Sequence, residues 1–206
     1  MNKGWFTLEF NLDSAFRLHL SSWSDVSNSY DIESKIYSKQ FPSLSNAYVV
    51  FINMKMIVDI IQVEAAVTQA LMHYNDESSG GMYTRELPTE ILYCLSPNRS
   101  INHALDTFGV NASTKELIVG VIYPTSVYQS NDTILLDYLS QIENTIQGTM
   151  NASLLITQST KNIDAVCQEY GITNIERNVI NKSNDPHKSL LESILSRMAS
   201  RDLFRP

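Results

Sequence analysis

The sequence has few of the residues and motifs on which most enzymes depend. Its 206 residues include only seven glycines, and these form no phosphate-binding loop, no dinucleotide-binding pattern and no Gly-x-Ser-x-Gly nucleophile turn. The four histidines are far apart and none has a second histidine four residues away, so a zinc site would have to be assembled in three dimensions. We therefore predict no catalytic residues, no cofactor and no metal site, and we interpret the histidines as ordinary surface or packed side chains.

Cysteine and long apolar runs are also scarce. Cys94 and Cys167 are far apart in apolar contexts, which indicates buried free thiols in a reducing compartment rather than a disulfide or a metal clip. Residues 1–10 lack the basic start and the continuous apolar run of a signal peptide, and no stretch of about 18 apolar residues is present to span a membrane. We therefore expect a soluble intracellular protein.

Charge is unevenly distributed along the chain. With 43% hydrophobic and 18% charged residues, the composition is typical of a folded globular protein, and the length favours a single domain over residues 1–206. The net charge of −7 argues against bulk electrostatic binding to nucleic acid. The segment from Arg177 to Pro206, however, contains six basic residues and three acidic ones. A basic tail on an acidic body suits a part of a larger assembly, although such tails are also common on proteins that have no charged partner.

Hydrophobic periodicity predicts an α+β fold. Alternating apolar residues predict two strands joined at Asp13 and Ser14, and short apolar runs predict three further strands, the last of them central. We expect one domain with a small, largely antiparallel or mixed sheet flanked by several helices, a mobile loop at residues 75–82 and mobile last C-terminal residues. The predicted strands are residues 5–12, 15–23, 47–52, 89–95 and 115–124, and the predicted helices are residues 24–39, 56–74, 101–108, 132–146, 162–170 and 186–198.

Three charged residues beside the fourth predicted strand are candidates for a functional site. Glu86 and Glu90 suggest an acid/base pair, but along an extended strand they would lie about 13 Å apart, at ~3.3 Å per residue, so we interpret them as solvated or capping carboxylates. Arg85 stands where a loop enters that strand. Its guanidinium could form a surface salt bridge, or it could bind a phosphate or stack on a base, and the sequence alone leaves both interpretations open.

Two stretches of the chain resemble a known family. The run "MYTRELPTEILYCLSPNRSINHALDTFG", followed by "ELIVGVI", is similar to the core of the smallest regulatory subunit of the KEOPS complex, the TP53RK-binding protein family. The closing "LLESILSRMASRDLF" resembles the C-terminal helix of that family. Together these stretches cover about a quarter to a third of the chain. The sequence departs from the family pattern by extra residues around "NDESSGG" and between Tyr123 and Ile163.

The resemblance implies a non-catalytic subunit with protein and RNA partners. The family binds the N-terminal lobe of a small atypical kinase-like ATPase and supports the rest of the KEOPS complex in making threonylcarbamoyl-adenosine on tRNA, so we expect a location in the cytoplasm and nucleus. Archaeal relatives also hold the 3′ end of the tRNA. Two other classes remain open: a free-standing RNA-binding or protein-interaction module outside KEOPS, and an enzyme whose pocket assembles scattered polar residues.

The resemblance also suggests site residues. The last predicted helix carries a two-column apolar stripe, all of which could belong to the core. We predict instead that one column is core and that the other, extended by one residue of the tail, binds the kinase. Four residues near the Ser-Pro-Asn motif and in the basic tail are candidates for tRNA contact. The predicted kinase-binding residues are Leu191, Ile194, Leu195, Met198 and Leu203, and the predicted RNA-binding residues are Arg85, Asn98, Arg99 and Arg201.

Overall fold

A computed structural model shows how the chain folds. None of the helices in the part that it describes combines the length and the apolar character that crossing a membrane requires. The predicted turn at Asp13 and Ser14, part of the loop 75–82 and the last C-terminal residues lie outside that part, so the predicted mobility stays a prediction. The structure describes residues 4–9, 15–76, 80–128, 132–152 and 163–201.

The chain divides into two compact units, each built from two separate segments. The first unit is Met1–Met54 with Gly109–Leu155, and the second is Lys55–Phe108 with Ile156–Pro206. The α+β class is confirmed, while the single domain over residues 1–206 stays a prediction. In chain order the elements are β1 (Phe6–Glu9), β2 (Phe16–Ser24), α1 (Ser29–Tyr37), β3 (Tyr48–Asn53), a 3₁₀ turn (Met54–Met56), α2 (Ile60–Asn75), α3 (Leu87–Leu95), α4 (Ile101–Phe108), β4 (Leu117–Pro124), α5 (Thr133–Thr145), β5 (Thr149–Met150), α6 (Ile163–Glu169), α7 (Asn174–Asn181) and α8 (Pro186–Ser200).

The first unit contains an antiparallel sheet. Its strands follow the order β1-β2-β4-β3, and the short β5 pairs with β2. β4 lies between β2 and β3, which confirms its predicted central position. Alternate residues of β4 share one apolar cluster with residues of α1 and α5, among them Ile32 and Leu139. This cluster is the core of the unit, because its members are almost fully buried.

The second unit is helical. Two of its helices begin at aspartates that cap them: Asp59 accepts a hydrogen bond from the N–H of Ile61 at the start of α2, and Asp185 accepts one from the N–H of Lys188 at the start of α8. Pro186 occupies the first turn of α8, where its missing N–H costs nothing. α3 packs against α2 and α4, and α8 packs against α2 and α7. The caps that the sequence predicts for the last helix are therefore confirmed.

The fourth predicted strand is a helix. Residues 89–95 lie in α3, which begins one residue before Pro88 and has every residue from Glu90 to Leu95 buried. A short segment that is buried on all sides shows no polar face, so its periodicity cannot distinguish a strand from a helix. The proline near its start was the available signal, because proline is favoured in the first turn of a helix and excluded from central strands.

His19 is a buried polar residue in the middle of the sheet. Its Nδ1 lies 3.0 Å from Thr7 Oγ1 on β1, and its Nε2 lies 2.9 Å from the hydroxyl of Tyr123 on β4. Burial, and to a smaller extent the positive charge of Arg17, lowers the pKa of His19 from 6.5 to about 4. The neutral imidazole satisfies both neighbours, with one ring nitrogen donating and the other accepting.

This environment predicts that the protein loses stability in mild acid. Between pH 6.5 and about pH 4 the unfolded chain binds a proton at residue 19 that the folded chain does not, so the free energy of unfolding falls as the pH is lowered, by up to about 3 kcal/mol. Urea denaturation at a series of pH values measures this loss. We expect His19→Gln to flatten the curve in that window and His187→Gln to leave it steep; equal slopes for His19→Gln and the native chain would refute the prediction.

Candidate nucleic-acid interface

The candidate interface lies where the Ser-Pro-Asn motif turns the chain from α3 into α4. Ser96 Oγ accepts a hydrogen bond from the N–H of Asn98 at 3.0 Å, and Asn98 Oδ1 accepts one from the N–H of Ser100 at 3.1 Å. Ser100 Oγ accepts from the N–H of His103 at 3.3 Å and caps α4, as the sequence predicts. These side chains fix the turn and leave Asn98 and Arg99 exposed.

The C-terminal end of α3 is buried, and two residues from later in the chain bind its carbonyl groups. Arg201 Nη1 donates to Tyr93 O and, at 3.0 Å, to Ser96 O, and its guanidinium lies 4.1 Å from the centre of the Tyr93 ring. The hydroxyl of Tyr170 donates to Leu95 O at 2.6 Å. The last carbonyl groups of a helix have no partner within the helix, so burying them without these donors would be destabilising.

This geometry corrects the predicted role of Arg201. Arg201 is predicted from the sequence to bind RNA, but the residue is only 6% exposed and its guanidinium is bound to carbonyl groups of the protein. A guanidinium that makes these hydrogen bonds and stacks on an aromatic ring is not available to a phosphate or a base. We therefore assign Arg201 a structural role.

A broad open groove of about 740 Å³ lies beside this helix end. Its wall includes Asn98 and Arg99, and Arg99 Nη2 donates a hydrogen bond to the carbonyl group of Arg201 at 3.1 Å. We call it the Arg99 groove; Glu169, Tyr170 and Arg197 also line it. The groove brings together three of the four residues predicted to bind RNA. Arg85 is not among its lining residues, and its role stays a separate prediction.

Other charges of the groove are paired within the protein. Arg197 Nη2 donates to Glu176 at 2.7 Å, and Glu169 lies 2.8 Å from His103 Nε2. Hydrogen bonds from Ser193 and Arg197 lower the pKa of Glu176, which keeps that carboxylate ionised. Among the arginines that line the groove, Arg99 is the exposed one.

The basic tail is also largely engaged in internal contacts. Arg177 is paired with Asp164, and Lys188 lies 3.9 Å from Glu192 one turn along α8. Pairs at the surface contribute little to stability, but they reduce the charge that the tail offers to a polyanion. Lys182, at the end of α7, is exposed. The excess positive charge seen in the sequence thus does not form an extended basic surface in the described part of the tail.

The turn before α3 differs from its prediction. Arg85 and Glu86 are exposed, but Glu90 is fully buried, so its interpretation as a solvated or capping carboxylate is wrong. Glu90 Oε1 lies 2.8 Å from His73 Nδ1, and Oε2 accepts hydrogen bonds from both the N–H and the hydroxyl of Thr84, each at 2.8 Å. Burial alone would raise the pKa of Glu90, but the hydrogen bonds from His73 and Thr84 lower it below its ordinary value.

The apolar stripe of α8 is covered by the protein itself. Three of the predicted kinase-binding residues, Leu191, Ile194 and Met198, are buried and belong to the core in this structure. The reason is that α8 has neighbouring helices on two sides, which cover a wider stripe than one column. Leu195, at the edge of the stripe, is partly exposed and stays a candidate for partner binding. Leu203 lies outside the described residues.

Two features near the groove were not predicted. Helix α7 begins at Thr173, which accepts a hydrogen bond from the N–H of Glu176 at 3.2 Å. The spacing of threonine and glutamate three residues apart is a capping box, and this signal was available in the sequence. The role of Tyr170 could not be predicted from the sequence, because no local pattern distinguishes a tyrosine that binds a distant helix end from one that fills a core.

The chain matches one family over most of its length. The model of the family described as kinase binding protein CGI-121 matches residues 23–202. The chain belongs to the CGI-121 family. The matched range contains α3, the Arg99 groove and α8. The resemblance to the small regulatory subunit of KEOPS is thereby confirmed.

Similar proteins in yeasts carry the name EKC/KEOPS complex subunit CGI121. The protein of Kluyveromyces lactis is 26% identical over 104 residues, which cover 50% of this chain and 59% of that protein. The protein of Yarrowia lipolytica is 29% identical over 99 residues, which cover 48% of this chain and 54% of that protein. The protein of Candida albicans is 30% identical over 106 residues, which cover 50% of this chain and 51% of that protein. The chain spans about half the length of the curated relatives it matches.

The burial of α8 predicts different effects for neighbouring substitutions. Ile194→Ala should lower the free energy of unfolding by about 2–5 kcal/mol, because it removes fully buried carbons and leaves a cavity. Leu195→Ala should cost less than half as much, since part of that side chain already contacts water. Urea denaturation of the two variants provides the comparison. Equal losses would show that Leu195 belongs to the core as fully as Ile194 does.

Proposed function

We propose that this CGI-121 family member is a non-catalytic subunit of a KEOPS-type complex. In this proposal it binds the small atypical kinase-like ATPase of the complex and supports threonylcarbamoyl-adenosine modification of tRNA, in the cytoplasm and the nucleus. The observation that carries the proposal is the match to a family of kinase binding proteins over residues 23–202. Relatives named as KEOPS subunits support membership of the complex.

The alternative is a free-standing RNA-binding or protein-interaction module. It predicts strong, salt-dependent binding of tRNA by the isolated chain. The net charge of −7 and the internal pairing of the basic tail count against this alternative.

Co-purification from the cells of origin, with the full chain as bait, distinguishes the KEOPS function from the free-standing module. Recovery of a kinase-like ATPase and a tRNA-modifying subunit supports the KEOPS function, and recovery of neither partner with folded bait contradicts that function. We expect no turnover of ATP by the chain alone.

The flank of α8 that carries Leu195 is our proposed kinase contact. Ser193 and Arg197 lie on the other flank, where they bind Glu176 of α7. Leu195 is therefore directed away from α7 and borders the buried stripe. A partly exposed leucine at the edge of an apolar stripe is suited to extend that stripe into a partner, because its remaining apolar surface can be buried at low conformational cost.

Leu195→Glu should weaken kinase binding by roughly tenfold or more, since it places a charge where the partner would bury an apolar side chain. The fold should survive, because the side chain keeps access to water. Affinity for the purified kinase-like subunit, measured by calorimetry, checks this, and Ser196→Glu introduces the same charge at the next, exposed position as a control. If both variants bind like the native chain, the kinase contact lies elsewhere on the subunit.

The Arg99 groove is our proposed contact for the single-stranded 3′ end of tRNA. Its exposed groups are a guanidinium and a carboxamide, which hydrogen-bond phosphates and the edges of unpaired bases. The turn that carries them is fixed by its own hydrogen bonds, so little order has to be gained on binding. With a single exposed arginine among its lining residues, the groove suits a short flexible strand better than a duplex, whose recognition requires many phosphate contacts.

Arg99→Met should lower the affinity of the assembled complex for tRNA and reduce the salt dependence by the equivalent of about one phosphate contact. Fluorescence anisotropy at several salt concentrations measures both quantities. Lys182→Met removes an exposed positive charge outside the groove and should leave the affinity nearly unchanged. A tRNA shortened at its 3′ end should bind the native complex and the Arg99→Met complex equally; a persistent difference would place the Arg99 contact on another part of the tRNA.

A further inference from the structure

Three side chains that commonly bind transition metals converge between α2 and α3. One ligand atom each of His73, Glu90 and Cys94 lies within 4.8 Å of the other two. His73 Nδ1 is 2.8 Å from Glu90 Oε1 and 4.0 Å from Cys94 Sγ. Glu90 and Cys94 are four residues apart on α3, so they lie on the same face of the helix, one turn from each other. The neighbouring helix α2 contributes the histidine from its last turn.

The surroundings of this cluster resemble the outer shell of a metal site. Glu90 and Cys94 are fully buried, while the side chain of His73 retains 12% exposure and connects the cluster to solvent. Thr84 donates two hydrogen bonds to Glu90 Oε2, and Oε1 lies against the histidine. Hydrogen bonds on one carboxylate oxygen commonly orient the other toward a bound metal. The ring of Tyr83, with its centre 5.6 Å from that of His73, packs against the histidine.

We propose that His73, Glu90 and Cys94 form a binding site for a divalent cation of the zinc class. An imidazole, a carboxylate and a thiolate are ligands that zinc accepts, at about 2.0–2.3 Å. The soft thiolate and the imidazole select against magnesium and calcium, which prefer oxygen ligands. A fourth, tetrahedral position remains for a water molecule on the side of His73, the member of the cluster that reaches solvent.

Binding requires a small rearrangement and the loss of a proton. Tetrahedral ligands at about 2.1 Å from zinc are roughly 3.4 Å apart, so the His73–Glu90 hydrogen bond opens by about half an ångström and is replaced by two metal bonds. The Cys94 thiol releases its proton to solvent, and His73 binds as the neutral imidazole. Arg201 Nη2 lies 3.8 Å from Cys94 Sγ, so the sulfur already has a polar neighbour in the metal-free protein. The metal then carries one carboxylate and one thiolate, which together balance its charge.

The full chain, stripped with a chelator and passed through a desalting column, provides the test. Calorimetric titration with zinc sulfate and elemental analysis of the protein peak should give one zinc per chain, with proton release. Cobalt(II) chloride serves as a second probe, because a thiolate ligand produces a charge-transfer absorption band. Cys94→Ala should abolish that band, and Cys94→Ala and His73→Gln should each reduce the zinc affinity by at least tenfold.

The chain supplies matched controls for both variants. Cys167→Ala removes the other buried cysteine, and His103→Gln breaks a second histidine–glutamate pair, at 2.8 Å, that has no cysteine beside it. Both controls should retain one zinc per chain, and circular dichroism establishes that each variant is folded. The proposal fails if the native chain binds less than one zinc per chain or shows no thiolate–cobalt band, whatever the variants do. It also fails if the controls lose as much affinity as the site variants, and His73 and Glu90 would then be a hydrogen-bonded pair only.

Discussion

The second unit depends on how it satisfies the buried end of α3. A helix leaves its last carbonyl groups without partners, and here those of Tyr93, Leu95 and Ser96 are removed from water. Arg201 and Tyr170 donate to all three. Because these donors come from the ends of α8 and α6, the same hydrogen bonds draw three helices together at one point. The Arg99 groove is the surface that this convergence leaves open.

Three arginines of the basic tail make contacts within the second unit. The tail contributes a net positive charge, yet Arg201 is used to hold α3, Arg197 to hold α7 and Arg177 to hold α6. Cations that are paired in this way contribute little to long-range attraction of a polyanion. An acidic chain with one exposed arginine in the groove is suited to local recognition rather than to long-range attraction of a polyanion.

Much of the fold could be predicted because its signals are local. β4 reads as a central strand from its continuous apolar run, and α8 can be located from Asp185 and Pro186 alone. α3 could not be classified by periodicity, because it has no polar face. The burial of Ile194 was beyond prediction for a different reason: which column of a stripe is covered depends on neighbouring helices, and these are fixed only by tertiary packing.

The candidate sites show the same division. Asn98 and Arg99 were predicted from a motif whose hydrogen bonds are all within a few residues, and the structure places them together. The cluster of His73, Glu90 and Cys94 was missed because it depends on the error in α3. In a strand, Glu90 and Cys94 would be about 13 Å apart, whereas in a helix they are neighbours. One wrong element therefore hid both a buried carboxylate and its partners.

The position of Arg201 in the chain has a consequence for synthesis on the ribosome. Arg201 follows Tyr93 by 108 residues, and the segment 109–155, which belongs to the first unit, is made between them. α3 therefore emerges from the ribosome long before the guanidinium that binds its end, and water must solvate those carbonyl groups in the meantime. The second unit can reach its final packing only after residue 201 has emerged, whereas the first unit already has all its segments by residue 155. The two units thus become complete in a fixed order, with the one that carries the Arg99 groove last.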